Sequence, residues 1–269
     1  MKKSKKTRLA LAIKTALGAG KLIMASYGKL KTSQISTKAK NDFVTELDKK
    51  SEKLIIAAIR KYFPDDGIQA EESGAKAGND TVWAIDPLDG TVNYIHQFPL
   101  FSISIGIIEN GVVTAGVVYD PLHKELFTVE NGKGSFLNHR RIHTAKTPDI
   151  ANALLTTGIP FRSRYRFDEY MASFRAISLA SAGMRRGGSA ALDLAYVACG
   201  RLDGFWELDL AVWDIAAGAL LVTEAGGLVT DMWGNENYLK SGDIVAAASG
   251  VHKGLSGITR TTIAPVVRI

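Results

Sequence analysis

The chain has 269 residues, 46% hydrophobic and 22% charged, with 26 glycines and 7 prolines, which suits one large domain or two closely packed halves. Its single cysteine, Cys199, excludes an internal disulfide and zinc-ribbon spacing, and a reducing cytoplasm is the expected location. A net charge of +6 fits an anionic small substrate or a nucleic-acid contact without choosing between them. At the N-terminus Leu9, Ile13, Ala16, Leu17 and Gly20 recur at helical spacing and predict an amphipathic helix. Its uninterrupted apolar run, 9–13, is shorter than a signal-peptide core. No apolar run approaches the ~20 residues of a membrane span, so a soluble protein is expected.

A second helix is predicted over 47–63, with Leu54, Ile55, Ala58, Ile59 and Tyr62 on one apolar face and Pro64-Asp65-Asp66-Gly67 ending it. Thr45 followed three residues later by Asp48 reads as a capping box, so in the first instance Asp48 is a structural cap. A short strand over 67–70 delivers Glu71-Glu72-Ser73-Gly74. The β-prone run 81–85 then leads into Asp86-Pro87-Leu88-Asp89-Gly90-Thr91. Pro87 fixes φ and Gly90 permits a sharp turn, so the two carboxylates and the Leu88 carbonyl can aim at one point. A solvated turn accounts for the same residues equally well.

Asn110-Gly111 between β-rich runs at 102–109 and 112–120 predicts a hairpin, and 125–130 adds a strand before the turn Asn131-Gly132-Lys133-Gly134. The half 1–150 thus reads as two helices and a largely antiparallel sheet, and 151–269 as alternating strands and helices. In the second half, strands are expected at 154–158 and 203–207, and helices at 167–179 and 190–199. Arg185-Arg186-Gly187-Gly188-Ser189 precedes the second of these helices, as an anion-binding loop or a plain cap. Asp214 opens a further helix through Trp213-Asp214-Ile215-Ala216-Ala217-Gly218, where the helix dipole favours a negative charge. Glu71, Asp86, Asp89 and Asp214 together form an oxygen-rich set suited to a hard cation such as Mg²⁺. No phosphate-loop lysine motif and no G-x-S-x-G elbow is present.

These motifs resemble the inositol monophosphatase family of metal-dependent phosphatases. The resemblance rests on Ala70-Glu71-Glu72-Ser73, on Trp83 to Tyr94, on Trp213 to Gly218 with Glu224-Ala225-Gly226-Gly227, and on Asn41 to Asp48, an N-D-x-V-T-x-x-D segment. Ala70 departs from the family's usual Gly or Thr, and Val92 and Tyr94 occupy loose positions. The resemblance implies a layered αβαβα sandwich of the sugar-phosphatase type and hydrolysis of a phosphate monoester. It implies two Mg²⁺ ions, or three with a weaker one near Glu71. Glu71, Asp86, the Leu88 carbonyl and Thr91 would surround one, and Asp86, Asp89 and Asp214 another. By the same resemblance Thr91 and Asp48 orient or deprotonate the attacking water, with Glu71 beside them. Leu88, Asp89, Gly90, Thr91 and Asp214 meet the phosphate side of the substrate. Gly188, Ser189 and Glu207 face the polyol, with Arg185 contributing and Lys38 a weaker carry-over. Inositol 1-phosphate is the expected substrate, ahead of fructose 1,6-bisphosphate, histidinol phosphate and 3′-phosphoadenosine phosphates. A homodimer and Li⁺ inhibition also follow from the likeness. The alternative role is an RNA- or transcription-associated one, for which Lys2, Lys3, Lys5, Lys6 and Arg8 offer a basic segment.

Overall fold

The computed structural model describes residues 7–39, 42–160 and 163–264. Lys2, Lys3, Lys5, Lys6 and Asn41 lie outside the described residues, as does the side chain of Lys38. Helix α1 (Arg8–Ser26) begins where the Thr7 hydroxyl accepts from Ala10 N, and it buries Leu11, Ala12, Thr15, Ala16, Ala19, Gly20 and Ile23. By length and composition α1 is able to cross a membrane, contrary to the expectation from its interrupted apolar run. In the fold its buried face packs on the second helix and the large sheet. Gly20 allows that approach, since a side chain there would stand 2.5 Å from the Tyr119 ring.

A hairpin of β1 (Ile35–Ala39) and β2 (Asp42–Thr45) leads into α2 (Glu46–Tyr62), capped at Thr45 as its sequence indicates. Next come β3 (Gly67–Ala70), β4 (Gly74–Lys76), β5 (Thr81–Asp89) and the short α3 (Thr91–Ile95). A meander follows of β6 (Ser102–Glu109), β7 (Val112–Asp120), β8 (Glu125–Glu130), β9 (Gly134–Leu137) and β10 (Arg140–Arg141). These strands make an eight-stranded sheet, β10-β9-β8-β7-β6-β5-β3-β4, in which β3 and β5 are parallel and the other neighbours antiparallel. The β6–β7 turn places Asn110 and Gly111 at φ 52° and 80°, the left-handed pair that a two-residue hairpin requires.

The second half contains β11 (Leu154–Thr157), α4 (Phe167–Ala180), β12 (Gly183–Arg185), α5 (Ala190–Ala198), β13 (Gly204–Glu207) and α6 (Val212–Glu224). It ends with β14 (Leu228–Thr230), α7 (Tyr238–Ser241), β15 (Ile244–Ala247) and α8 (Ser249–Thr262). Its five-stranded sheet runs β12-β11-β13-β15-β14, parallel across β12, β11 and β13 and antiparallel beyond. Helices α1 and α2 cover the outside of the large sheet, α5 and α6 fill the space between the sheets, and α4 and α8 cover the smaller one. This is the αβαβα sandwich. The middle core joins both halves, with Val118 and Phe127 packed among Leu194, Ile215, Leu221 and Phe205. Small residues bring α6 hard against the large sheet: a side chain at Gly106 would come 2.8 Å from Ala216 Cβ, and one at Gly116 2.8 Å from Ala217 Cα.

Candidate active site

Asp86 and Asp89 share one strand end. The sequence predicts a strand over 81–85, whereas β5 runs on to Asp89, because pairing with β6 resumes after a bulge. Asp86 stands opposite Ser104 and Asp89 opposite Ser102, with the irregularity between them. A bulge bends the strand and redirects its side chains, and it accommodates Pro87, which has no N–H for the ladder. Asp86 Oδ1 accepts from Leu88 N at 2.9 Å, and Ser51 Oγ on α2 donates to Pro87 O at 3.0 Å. Gly90 then turns the chain at φ 87°, where a side chain would meet Leu100 O at 3.0 Å and Gly188 O at 3.2 Å. No L-residue side chain suits both that conformation and that gap.

Asp48 has two occupations. Its Oδ2 accepts from Thr45 N at 2.8 Å and Thr45 Oγ1 at 2.5 Å, completing the cap of α2. Its Oδ1 accepts from Thr91 Oγ1 at 2.9 Å, and Thr91 Oγ1 also lies 3.0 Å from Leu88 O. Burial raises the Asp48 carboxyl above its ordinary value, against the hydrogen bonds from Thr45 and Thr91. One turn further along α2, the buried Glu52 accepts from Glu72 N at 2.8 Å through Oε2, holding the Glu71-Glu72 turn in place. Glu71 N in turn donates to Ile85 O at 3.1 Å, extending the β3–β5 pairing to the site.

Two helix N-termini meet the same strand end. Asp89 Oδ2 accepts from Ser189 Oγ at 2.6 Å and from Ala191 N at 2.8 Å, in the first turn of α5. Asp214, in the first turn of α6, accepts from Ala211 N at 2.7 Å through Oδ2. These contacts follow from the dipole and the unpaired N–H groups of a helix start.

Asp86 and Asp89 resist ionisation as they stand. Burial first, then the charges of Glu71, Asp89 and Asp214, push Asp86 well above the carboxylate range. Burial and Asp214 lift Asp89 to about 7, with Ser189 and Ala191 working in the other direction. Among the described residues no three His, Cys, Asp or Glu side chains already stand as a metal-holding group, and Asp86, Asp89 and Asp214 each turn one oxygen to a local donor. The donor set nevertheless fits a hard divalent cation. It is all oxygen, it is negatively charged, and its mutual repulsion is what a bound cation would balance.

The opposite wall comes from the second half. Glu207, at the end of β13, is 7% exposed, and a side chain at Gly158 would overlap its carboxylate. Burial raises the Glu207 carboxyl well above its ordinary value; Asp193 adds to the rise, Arg186 opposes it, and Asp214 and Asp89 contribute further. Gly188 takes φ 86°, and Ser189 caps α5 by accepting from Leu192 N. Arg185 is not brought to this group: it is exposed and donates to Met184 O at 2.9 Å. The neighbouring Arg186, also exposed, sets its Nη1 back over Gly188 and is the arginine whose charge acts on Asp193 and Glu207.

Sequence reasoning also passed over Glu52, Asn93 and Asp193. Each carried a signal. Glu52 falls one helical turn after Asp48, Asn93 closes the Asp86–Asn93 segment, and Asp193 is an acid in an otherwise apolar helix.

The inositol monophosphatase family model matches residues 4–264. The chain is similar to Nus factor SuhB of Pseudomonas aeruginosa, 44% identical over 263 residues and covering 96% of each chain. It is similar to inositol-1-monophosphatase of Mesorhizobium japonicum, 41% identical over 92% of this chain and 94% of that one. Among solved structures, extragenic suppressor protein suhB of Bartonella henselae superposes with a TM-score of 0.90 at 38% identity, over 94% of this chain and 98% of that one. With a family match over nearly its whole length and relatives at 44% and 41% identity, this chain belongs to the inositol monophosphatase family.

Proposed function

We propose that the chain hydrolyses a phosphate monoester with Mg²⁺, and that its preferred substrate is inositol 1-phosphate. The observation that carries this reading is the Thr91–Asp48 hydrogen bond set beside the Asp86, Asp89, Glu71 and Asp214 carboxylates. Glu71, Asp86, Leu88 O, Asp89 and Asp214 would hold the metal ions. When bound, such ions polarise phosphate oxygens and make water more acidic. Thr91 Oγ1 spends its hydrogen on Asp48 Oδ1 and Leu88 O, which leaves its lone pairs to accept from a water. Asp48 Oδ1 is the proton acceptor of that pair, and burial makes it a stronger base than a surface aspartate. The N–H groups of Gly90 and Thr91, at the start of α3, would receive the phosphate. Glu207 offers carboxyl oxygens to ring hydroxyls, an arrangement that an adenine or imidazole would satisfy poorly.

The test is phosphate release from inositol 1-phosphate, fructose 1,6-bisphosphate, histidinol phosphate and 3′-phosphoadenosine 5′-phosphate. The inositol ester should lead in kcat/KM, chelation should abolish release, and millimolar Li⁺ should inhibit it. Activity that survives excess chelator sinks the metal assignment. A tenfold lead by another ester sinks the substrate assignment alone.

A second reading rests on relatives that bear the name Nus factor SuhB at 42–47% identity: an RNA- or transcription-associated binding role. Salt-dependent retention of RNA by a catalytically inactive Asp89→Asn variant would support it, and retention no better than a neutral protein's would remove it. A homodimer is part of the same proposal, supported by the exposed apolar side chains Tyr165, Phe167, Met171 and Leu179 on and before α4. Sedimentation as a monomer at micromolar concentration would count against it. The proposed location is the cytoplasm, supported by the single unpaired cysteine; fractionation of the protein with an oxidising compartment would contradict it.

A further inference from the structure

The Arg186-Gly187-Gly188 loop is gripped from both halves of the site. From the side of α3, Asn93 Nδ2 donates to Gly187 O at 2.9 Å and to Leu100 O at 2.6 Å. From the side of α5, Asp193 is 4% exposed and lies against Gly187, where a side chain would come 2.5 Å from its Oδ1. Thr156 Oγ1 on β11 donates to that same Oδ1 at 3.1 Å and pins the carboxyl. The loop folds the Arg186 guanidinium back over Gly188, where a side chain would come 2.5 Å from Nη1. Arg186 is exposed and joins no ion pair among the described residues.

We propose that Arg186 is a specificity-determining residue for the polyol end of the substrate, and that Asp193 is the positioning residue that sets it there. This deepens, and rests on, the reading of the chain as a phosphomonoesterase. A guanidinium offers donors in a fixed plane, and Glu207 beside it offers acceptors. A hydroxyl both donates and accepts, so a polyol satisfies the two together. Asp193 acts through shape and through its bond to Thr156: it supports Gly187 from beneath, and the loop carries Arg186.

The experiment uses the full chain with Mg²⁺ and two probes, inositol 1-phosphate and p-nitrophenyl phosphate, which has no hydroxyls to read. A third measurement follows phenylglyoxal modification of Arg186 by peptide mass spectrometry. Asp193→Ala should raise KM for the inositol ester about fivefold or more and change kcat less than about twofold, the signature of lost binding rather than lost chemistry. KM for p-nitrophenyl phosphate should move much less, and Arg186 should be modified faster. Asp193→Asn keeps the volume beneath Gly187 and an acceptor for Thr156, and it should restore both readouts. Arg186→Gln should reproduce the selective rise in KM. Equal effects on both esters, or an unchanged modification rate in Asp193→Ala, overturn the proposal. Should that variant fail to fold, Gly187→Ala, which drives the loop off Asp193, must show the same selectivity, and an unchanged KM there overturns it too. If the wild-type chain releases phosphate from neither ester, the phosphatase reading falls. The modification rates then still decide whether Asp193 positions Arg186.

Discussion

Asp48 shows how one side chain serves stability and chemistry with separate oxygens. Oδ2 takes the two donors of Thr45 and closes the start of α2, while Oδ1 takes the Thr91 hydroxyl. The first role was readable from Thr45 and Asp48 alone. The second was not, because Thr91 lies 43 residues away and only the fold brings it within 2.9 Å. Arg186 makes the complementary point. Two adjacent arginines are equivalent in sequence, and only the fold sets Nη1 of Arg186 over Gly188 and its charge on Asp193 and Glu207. The two roles of Asp48 can be separated by substitution. Thr91→Val removes only the hydroxyl and should lower kcat by about 10²–10⁴ with little change in stability. Asp48→Asn should lower kcat similarly and also cost about 0.5–2 kcal/mol, because one of the two oxygens that accept from Thr45 and Thr91 becomes an amide donor. The double variant should be no slower than either single one, because the pair acts as a unit. A Thr91→Val enzyme with wild-type kcat would remove Thr91 and Asp48 from the chemistry.

Among elements, those whose ends are set by local chemistry were legible. The β6–β7 hairpin matches its expected limits because Asn110-Gly111 fixes both turn and register. The extension of β5 to Asp89 was hidden, since a bulge exists only relative to the partner strand. Strand β14 is three residues long and offers almost no periodicity. The attachment of α1 was hidden too. Asp66, just before β3, accepts from Arg8 Nε at 2.7 Å, Arg8 Nη2 at 3.0 Å, Trp83 Nε1 at 2.9 Å and Asn79 Nδ2 at 3.1 Å. One carboxylate thus ties α1 to β5 and the turn between them. Burial pushes the Asp66 carboxyl up, but the bonds from Arg8, Trp83 and Asn79 outweigh it, and the net value is lowered. A lowered carboxyl stabilises the fold above the unfolded value near 3.9 and loses that contribution as pH falls through the folded value. Asp66→Ala should cost about 1–3 kcal/mol for the stranded Trp83 N–H alone. In urea denaturation its deficit should be full at neutral pH and shrink below about pH 4. A deficit that does not change with pH would mean that packing, not the ionised carboxylate, is what the substitution removed.

At the scale of the whole molecule, the site exists because the layers meet at one strand end. Asp86 and Asp89 come from the large sheet, Asp214 from the helix sandwiched between the sheets, and Glu207 from the small sheet. The sequence supplied each acid with a plausible local role; what it withheld was the distance between layers. That distance is set by glycine and alanine. On the large sheet Gly106 faces Ala216 of α6, and on the other flank of α6 a side chain at Gly218 would come 2.6 Å from Leu194 of α5. A methyl group at 106 would stand 2.8 Å from Ala216 Cβ, closer than real carbon contacts allow, so α6 must move off the sheet or tilt. Overpacking of this kind costs about 1–3 kcal/mol. It should also carry Asp214 away from Asp86 and Asp89, so Gly106→Ala should raise the Mg²⁺ concentration needed for half-maximal phosphate release as well as lower Tm. Gly257 is the control, since a side chain on that face of α8 meets nothing, and Gly257→Ala should leave the Mg²⁺ requirement unchanged. The decisive variant is the size swap, Gly106→Ala with Ala216→Gly, which moves the methyl group from one layer to the other and keeps the spacing. It should recover most of the lost Mg²⁺ affinity, although glycine within α6 costs about 1 kcal/mol of helix stability. Recovery of Tm without recovery of the Mg²⁺ requirement would show that α6 is not what places Asp214 in the cluster.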